Sequence, residues 1–211
     1  MQEVTLVLAT QNKNKIREIS ALLQDYPVRI MNLDDFGPKP APVEDADTFE
    51  GNAFLKASHY ACILGRPTLA DDSGLMIEAL GGAPGVHSAR WAGEKATDAG
   101  KCALILEQME GQTKRRASFV CALVLAVPAG PALTWTGRID GELTTEPHGF
   151  NGFGYDPIFF YPPLKKTLAE LSPAEKGRVS HRGRALAEFK SEFDKVLIWL
   201  DERLKEAGSP C

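Results

Sequence analysis

Short apolar runs alternate with amphipathic stretches along this chain. Residues 4–9 form an apolar run that reads as a buried strand. After Thr10-Gln11-Asn12, an amphipathic stretch continues to about Tyr26, with Ile16, Ile19, Leu22 and Leu23 at helical spacing. Residues 28–31 predict a second strand, so the chain opens β-α-β, which points to the α/β class. Residues 34–47 are acidic and carry Pro38, Pro40 and Pro42, a density that rules out a regular element. Residues 48–64 predict a helix that Gly65-Arg66-Pro67 ends.

Residues 68–70 read as a short strand leading into an acidic turn, Ala70-Asp71-Asp72-Ser73-Gly74. Residues 75–80 are apolar again, and Gly81-Gly82-Ala83-Pro84-Gly85 reads as an irregular turn. Thr97-Asp98 starts a helix that runs to about Met109. Residues 117–127 and 133–143 predict two strands joined by a turn at 128–131, and 144–155 a polar loop. Ser172-Pro173-Ala174-Glu175 has the pattern of a capped helix start. Ser180 begins a last helix reaching about Glu206, and 208–211 read as a frayed tail.

The length of 211 residues suggests one domain, or one domain with an elaborated lobe. Hydrophobic residues make up 44%, enough for a sizeable core. A net charge of −4 argues against a sequence-independent grip on a nucleic acid polymer but not against a small nucleotide. No apolar run has the length of a membrane span, and the acidic start Met1-Gln2-Glu3 is unlike a secretory leader. Cys62, Cys102, Cys121 and Cys211 are widely spaced, so they read as reduced thiols, two or three of them buried. A cytoplasmic protein is expected.

Charge placement then changes the picture. Lys13 and Lys15 fall in the first turn of one helix, and His181, Arg182 and Arg184 in the first turn of another. Cations there oppose the macrodipole, and with the open N–H groups they favour an anion. Two such starts in an acidic protein suggest a shared polyanion such as a triphosphate, although solvated side chains would look the same. Asp71 and Asp72 offer hard oxygen ligands, with Glu44, Asp45 and Asp47 available from the proline-rich loop, which suits magnesium bridging carboxylates and phosphates. Taken alone, a solvated turn is an equal reading. Phe153-Gly154-Tyr155-Asp156-Pro157 could stack on a nucleobase and read its edge, or simply dock on the core.

In order along most of the chain, these segments resemble the noncanonical purine nucleoside triphosphate pyrophosphatases, the inosine triphosphatase-like family. The matching motifs are Leu8-Ala9-Thr10-x-Asn12-x-x-Lys15, Thr48-Phe49-x-x-Asn52-Ala53-x-x-Lys56-Ala57, Ala70-Asp71-Asp72-Ser73-Gly74-Leu75, Gly81-Gly82-Ala83-Pro84-Gly85-Val86, Ser88-Ala89-Arg90, Phe153-Gly154-Tyr155-Asp156-Pro157 and Ser180-His181-Arg182-Gly183. The resemblance implies an elongated mixed β-sheet flanked by helices, with two lobes around a central substrate cleft, in one domain over 1–207. It implies hydrolysis of ITP, dITP and XTP to monophosphate and pyrophosphate, magnesium dependence, a homodimer, and a role in keeping deaminated bases out of DNA and RNA.

By position in the family, the resemblance makes Asp72 the proton acceptor and a metal-associated acid, Glu44 a magnesium ligand and Asp71 a helper. Thr10, Gln11, Asn12, Lys13, Asn14 and Lys15 fall in the phosphate-binding stretch, with Lys56 and Ser73 near the phosphates. Phe153, Gly154, Tyr155, Asp156, Lys176, His181 and Arg182 match positions that contact the base and substrate. Two residues depart from the pattern. Gln11 stands where glycine is common, and would be strained if that position needed a positive φ. Gly51 stands where an acid usually precedes the asparagine. The residues permit attack by water on the α-phosphorus, with Asp72 deprotonating the water and Lys13 and Lys15 clamping the outer phosphates. Lys176, His181 and Arg182 offer donors that suit a 6-keto purine and leave adenine unmatched. Rival readings are a pyrophosphatase of another base preference and a catalytically silent nucleotide-binding protein.

Overall fold

The computed structural model describes residues 3–128 and 130–206, in which one seven-stranded sheet is accompanied by six helices. The strands are β1 (Val4–Leu8), β2 (Val28–Asn32), β3 (Thr68–Ile77), β4 (Arg116–Ala126), β5 (Ala132–Leu143), β6 (Phe159–Tyr161) and β7 (Lys166–Thr167). Their order across the sheet is β2-β1-β3-β4-β5-β6-β7. β1 is parallel to β2 and to β3, whereas β6 is antiparallel to both β5 and β7, so the sheet is mixed and the class is α/β. The helices are α1 (Lys13–Leu23), α2 (Phe49–Leu64), α3 (Asp98–Gln108), α4 (Pro173–Val179), α5 (His181–Ser191) and α6 (Phe193–Glu206).

Burial along the strands follows from their composition. β4 is almost continuously apolar from Phe119 to Ala126 and almost continuously buried, as a strand covered on both faces must be. β5 alternates buried and exposed residues from Trp135 to Leu143, the pattern of a strand with one wet face. The helix starts read from sequence carry their caps. Thr48 Oγ1 accepts the Gly51 N–H at 3.0 Å, Thr97 Oγ1 accepts the Gly100 N–H at 3.1 Å, and Ser172 with Glu175 forms a capping box.

The described residues divide into two compact units. The first comprises those up to Asp72, Ala122–Trp135 and those from Ala185 onward; the second comprises Ser73–Cys121 and Thr136–Arg184. An aromatic chain runs through the first core, with Tyr26 on Phe193, Phe193 on Phe189 and Phe189 on Trp135, at centroid separations of 4.6, 5.0 and 4.8 Å. Leu75, Ile77, Ile105, Met109, Phe119, Ile139, Phe159 and Leu168 form the core of the second.

Three sequence expectations change. Asp71-Asp72-Ser73-Gly74 is not a turn: it lies inside the ten-residue strand β3. Asp, Ser and Gly favour turns locally, but apolar residues on both sides and membership of a strand that pairs with β1 at Thr68 and Leu69 and adjoins β4 override that preference. The single last helix is two, α5 and α6, broken at Glu192, whose carboxylate accepts the Trp135 indole N–H at 2.8 Å. β6 and β7 were not read at all, being too short to show a period. Cys102 and Cys121 are buried and Cys62 is exposed, while Cys211 and the tail 208–211 lie outside the described residues.

Candidate active site

The first cluster grows from the entry to α1. The Asn12 N–H donates to Thr10 Oγ1 at 3.1 Å, and Asn12 Oδ1 accepts the Lys15 N–H at 3.4 Å. Thr10 and Asn12 therefore build the helix cap, and no acidic residue occupies the first turn of α1. Gln11 and Lys13 are exposed, and Asn14 lies in α1. Lys165 is the one non-glycine residue with a positive φ among those described, so Gln11 is not strained. Lys15 reaches Asp71, its Nζ 2.8 Å from Oδ2, with the two side chains 16% and 3% exposed.

Because Asp71 and Asp72 are consecutive in a strand, their side chains leave opposite faces of the sheet. Asp71 goes to Lys15. Asp72 is instead held by Asn52 of α2, which hydrogen-bonds its carboxylate. Burial pushes the Asp72 carboxyl above the usual range, Lys56 draws it down, Glu44 raises it, and the Asp71 charge is the smallest influence named. The expected repulsion between adjacent acids is thus a minor effect, because the strand separates them. Asp72 Oδ2 is buried and has no hydrogen-bond partner among the described residues.

Helix α2 organises the rest. Lys56 Nζ lies 2.9 Å from Glu44 Oε2 and donates to the Asp71 carbonyl at 3.4 Å. Lys56 follows Asn52 by four residues, so both project from one face of α2. The proline-rich loop is tied to the same helix: His59 Nε2 lies 2.9 Å from the Pro40 carbonyl, and Asn52 Oδ1 accepts the Ala46 N–H at 3.0 Å. Gly51 makes this approach possible, since a Cβ there would stand 2.6 Å from Ala46 Cβ. An acid at position 51 would push away the loop that carries Glu44, which gives this departure a packing reason.

Among the described residues no group of three His, Cys, Asp or Glu side chains is gathered as a metal cage. Magnesium does not need one, because it commonly takes one or two carboxylates and completes its shell with water and phosphate. Asp72 Oδ2 and Glu44, two hard oxygen donors that both feel the Lys56 charge, fit that requirement. Asp71, committed to Lys15, fits it poorly.

The second cluster lies in the second unit. Lys176 Nζ stands 4.3 Å from the centre of the Phe153 ring, and the Arg182 guanidinium carbon 5.4 Å from it. Asp156 is 2% exposed; its Oδ2 accepts the Phe153 N–H at 2.8 Å and pairs with Lys176. Burial pushes the Asp156 carboxyl up, while Lys176, the Phe153 N–H and Arg182 pull it back. Arg182 donates from Nη2 to Ser73 Oγ at 3.1 Å, and His181 stacks on Phe119 at 4.6 Å with 11° between the planes.

This geometry corrects two expectations for the aromatic loop. Tyr155 belongs to the core: its ring is 4% exposed, its hydroxyl donates to the Ser88 carbonyl at 2.9 Å, and burial pushes its pKa up. Asp156 holds Lys176 and the loop backbone rather than offering an edge to a base. Phe153 and Lys176 stay partly exposed, whereas His181 and Arg182 are buried, 6% and 5% exposed, against Phe119 and Ser73. The sequence reading missed Asn52 as a site residue, although a signal existed. An asparagine inside a helix, at a position otherwise filled by buried Phe49, Ala53 and Ala57, must find hydrogen-bond partners.

The sequence matches the model of the Ham1 family over residues 6–192. It is 52% identical to the dITP/XTP pyrophosphatase of Desulfotalea psychrophila, over 95% of this chain and 90% of that one. It is 55% identical to the dITP/XTP pyrophosphatase of Syntrophobacter fumaroxidans, over 96% and 88% of the two chains. The fold resembles a solved HAM1 protein from Coxiella burnetii with a TM-score of 0.87 and 43% identity, covering 91% of this chain and 99% of that one.

Proposed function

This chain belongs to the Ham1 family, and from that premise we propose that it hydrolyses noncanonical purine nucleoside triphosphates, dITP, XTP and ITP, to the monophosphate and pyrophosphate. The observation that carries the chemistry is Asp72: a half-buried residue whose Oδ2 is itself buried and lacks a partner among the described residues, and whose pKa is raised. Such a group is a stronger base than an ordinary aspartate.

Asp72 takes a proton from the water that attacks the α-phosphorus, and pyrophosphate leaves. Asn52 fixes the carboxylate, since its own Oδ1 is committed to the Ala46 N–H and its amide nitrogen is left to face Asp72. Lys13, Lys15 and the open N–H groups of α1 bind the outer phosphates, and Lys56 supplies a further cation. Asp71 acts by positioning Lys15. Asp72 and Glu44 would hold magnesium, which would supply neutralisation of charge on the phosphates.

Phe153 stacks on the base, while Lys176, His181 and Arg182 surround it with donors. Donors match the 6-keto oxygen of hypoxanthine and xanthine, whereas the 6-amino group of adenine would leave them unmatched. This favours 6-keto purines over adenine, and the dITP/XTP pyrophosphatases among the relatives support the deaminated ones within that set. We extend the reading to a cytoplasmic homodimer that protects nucleic acids from deaminated precursors; the family resemblance supports this part. Among the described residues no helix is long and apolar enough to cross a membrane.

The test is magnesium-dependent product release from dITP, XTP, ATP and GTP. Pyrophosphate from the first two, with little from the others, is expected. Orthophosphate as the product, or equal rates on ATP, would overturn the proposal.

A further inference from the structure

Gly154 sits between Phe153 and the buried pair Tyr155-Asp156, and its backbone is gripped from both sides by one helix. Asp98 Oδ2 accepts the Gly154 N–H at 2.7 Å, and the Cys102 thiol donates to the Gly154 carbonyl at 3.3 Å. Asp98 and Cys102 are four residues apart on α3, hence on one face. Lys101 Nζ holds the other Asp98 oxygen at 3.2 Å. Gly154 has φ +63°, a conformation that other residues adopt rarely.

The Asp98 carboxylate is not needed to start its own helix. Thr97 already caps α3 through the Gly100 N–H, which leaves the Asp98 side chain to the loop. The neighbouring donors are committed as well: the Phe153 N–H goes to Asp156 Oδ2, and the Asp156 N–H to the Phe153 carbonyl at 3.3 Å. Burial, helped by the charges of Asp98 and Asp156, pushes the Cys102 thiol up to about 11, so it stays protonated and keeps donating.

We propose that Asp98 and Cys102 are positioning residues for base recognition: they lock the Gly154 peptide groups so that the Phe153 ring stays where Lys176 and Arg182 meet it. This rests on the reading of Phe153, Lys176 and Arg182 as the base end of the site. The clamp acts on the base and not on the phosphorus, so its loss appears in KM and in base preference rather than in turnover.

The experiment compares Asp98→Ala, Asp98→Asn and Cys102→Ala with the intact protein. For Asp98→Ala, KM for dITP rises about tenfold, as expected for losing one charge-assisted hydrogen bond, kcat stays within about twofold, and the preference for dITP over dATP narrows. Asp98→Asn keeps an acceptor for the Gly154 N–H and restores most of the KM. Hydrogen exchange over residues 150–156 quickens in Asp98→Ala and not in Asp98→Asn. Cys102→Ala shifts KM and exchange the same way by a smaller factor, and stands in if Asp98→Ala does not fold. Unchanged KM and exchange in Asp98→Ala, or equal damage in Asp98→Asn, would overturn the clamp. A wild-type protein inactive on dITP would overturn the function instead, and the exchange data would still judge the clamp.

Discussion

The two clusters are built from different materials. The first, around Lys15, Lys56, Glu44, Asp71 and Asp72, is built wholly of charged side chains, of which Glu44 and Lys56 remain 33% and 16% exposed. Under the proposed function, its ion pairs occupy cations and carboxylates that a triphosphate and magnesium would engage. The second, around Phe153, Asp156, Lys176 and Arg182, is held by peptide hydrogen bonds and a buried ion pair. Asp156 is 2% and Arg182 5% exposed. A phosphate chain carries several charges, so attraction there tolerates side chains that exchange partners. Purines that differ at one exocyclic atom can be told apart only by donors fixed in place. The difference teaches how the proposed function would divide: the charged cluster would supply binding strength and chemistry, and the ring-and-donor cluster would supply discrimination.

The largest expected effect separates chemistry from binding in the first cluster. Asp72→Asn keeps the shape and removes the base, so kcat should fall about 10³-fold while KM for dITP changes little. Steady-state kinetics with a coupled pyrophosphate assay measures both, and near-normal turnover would remove Asp72 from its role. The next prediction strikes the second cluster. Lys176→Ala leaves Asp156 buried without its cation and should cost about 3 kcal/mol of stability. Lys15→Ala leaves Asp71, equally buried, without its cation and should cost a comparable amount. Denaturant unfolding of both variants measures each loss, and a negligible loss in either would contradict the weight given to that pair.

A smaller effect concerns preference alone. Arg182→Ala should narrow the ratio of kcat/KM between dITP and dATP by about tenfold, through loss of one matched donor. An unchanged ratio would assign the discrimination elsewhere. The smallest effect is a pH dependence at the clamp. Burial raises the Asp98 pKa, but the Gly154 N–H and Lys101 outweigh it and hold the carboxyl below its ordinary value. A depressed folded pKa stabilises the protein above the unfolded value, about 3.9, and that contribution disappears as pH falls through the folded one. The stability gap between wild type and Asp98→Ala should therefore be constant near neutrality and close in acid, as measured by unfolding at stepped pH. A gap that widens on acidification would contradict the assigned direction.

Much of the scaffold was legible because its signals are local. The β-α-β opening, the strands at 117–127 and 133–143 and the capped starts at Thr48, Thr97 and Ser172 follow from periodicity and side-chain chemistry within a few residues. The ordered motifs also determined the family, since their combination is far more specific than any one of them. Most residues of each cluster came from those motifs, whereas Glu44 and Lys176 lie between them.

What each residue does there was decided by tertiary structure. The sequence shows Asp71 and Asp72 as neighbours, but only the sheet makes them strand residues whose side chains leave opposite faces, one to Lys15 and one to Asn52. Tyr155 and Asp156 share a motif with Phe153, yet packing sends them inward to the Ser88 carbonyl and to Lys176. Gly51 reads as a missing acid until Ala46 is seen against it. Composition sets which groups are available. Burial and distant partners set which of them are left to meet a ligand, because hydrogen bonds and charge pairs depend on neighbours in space rather than along the chain.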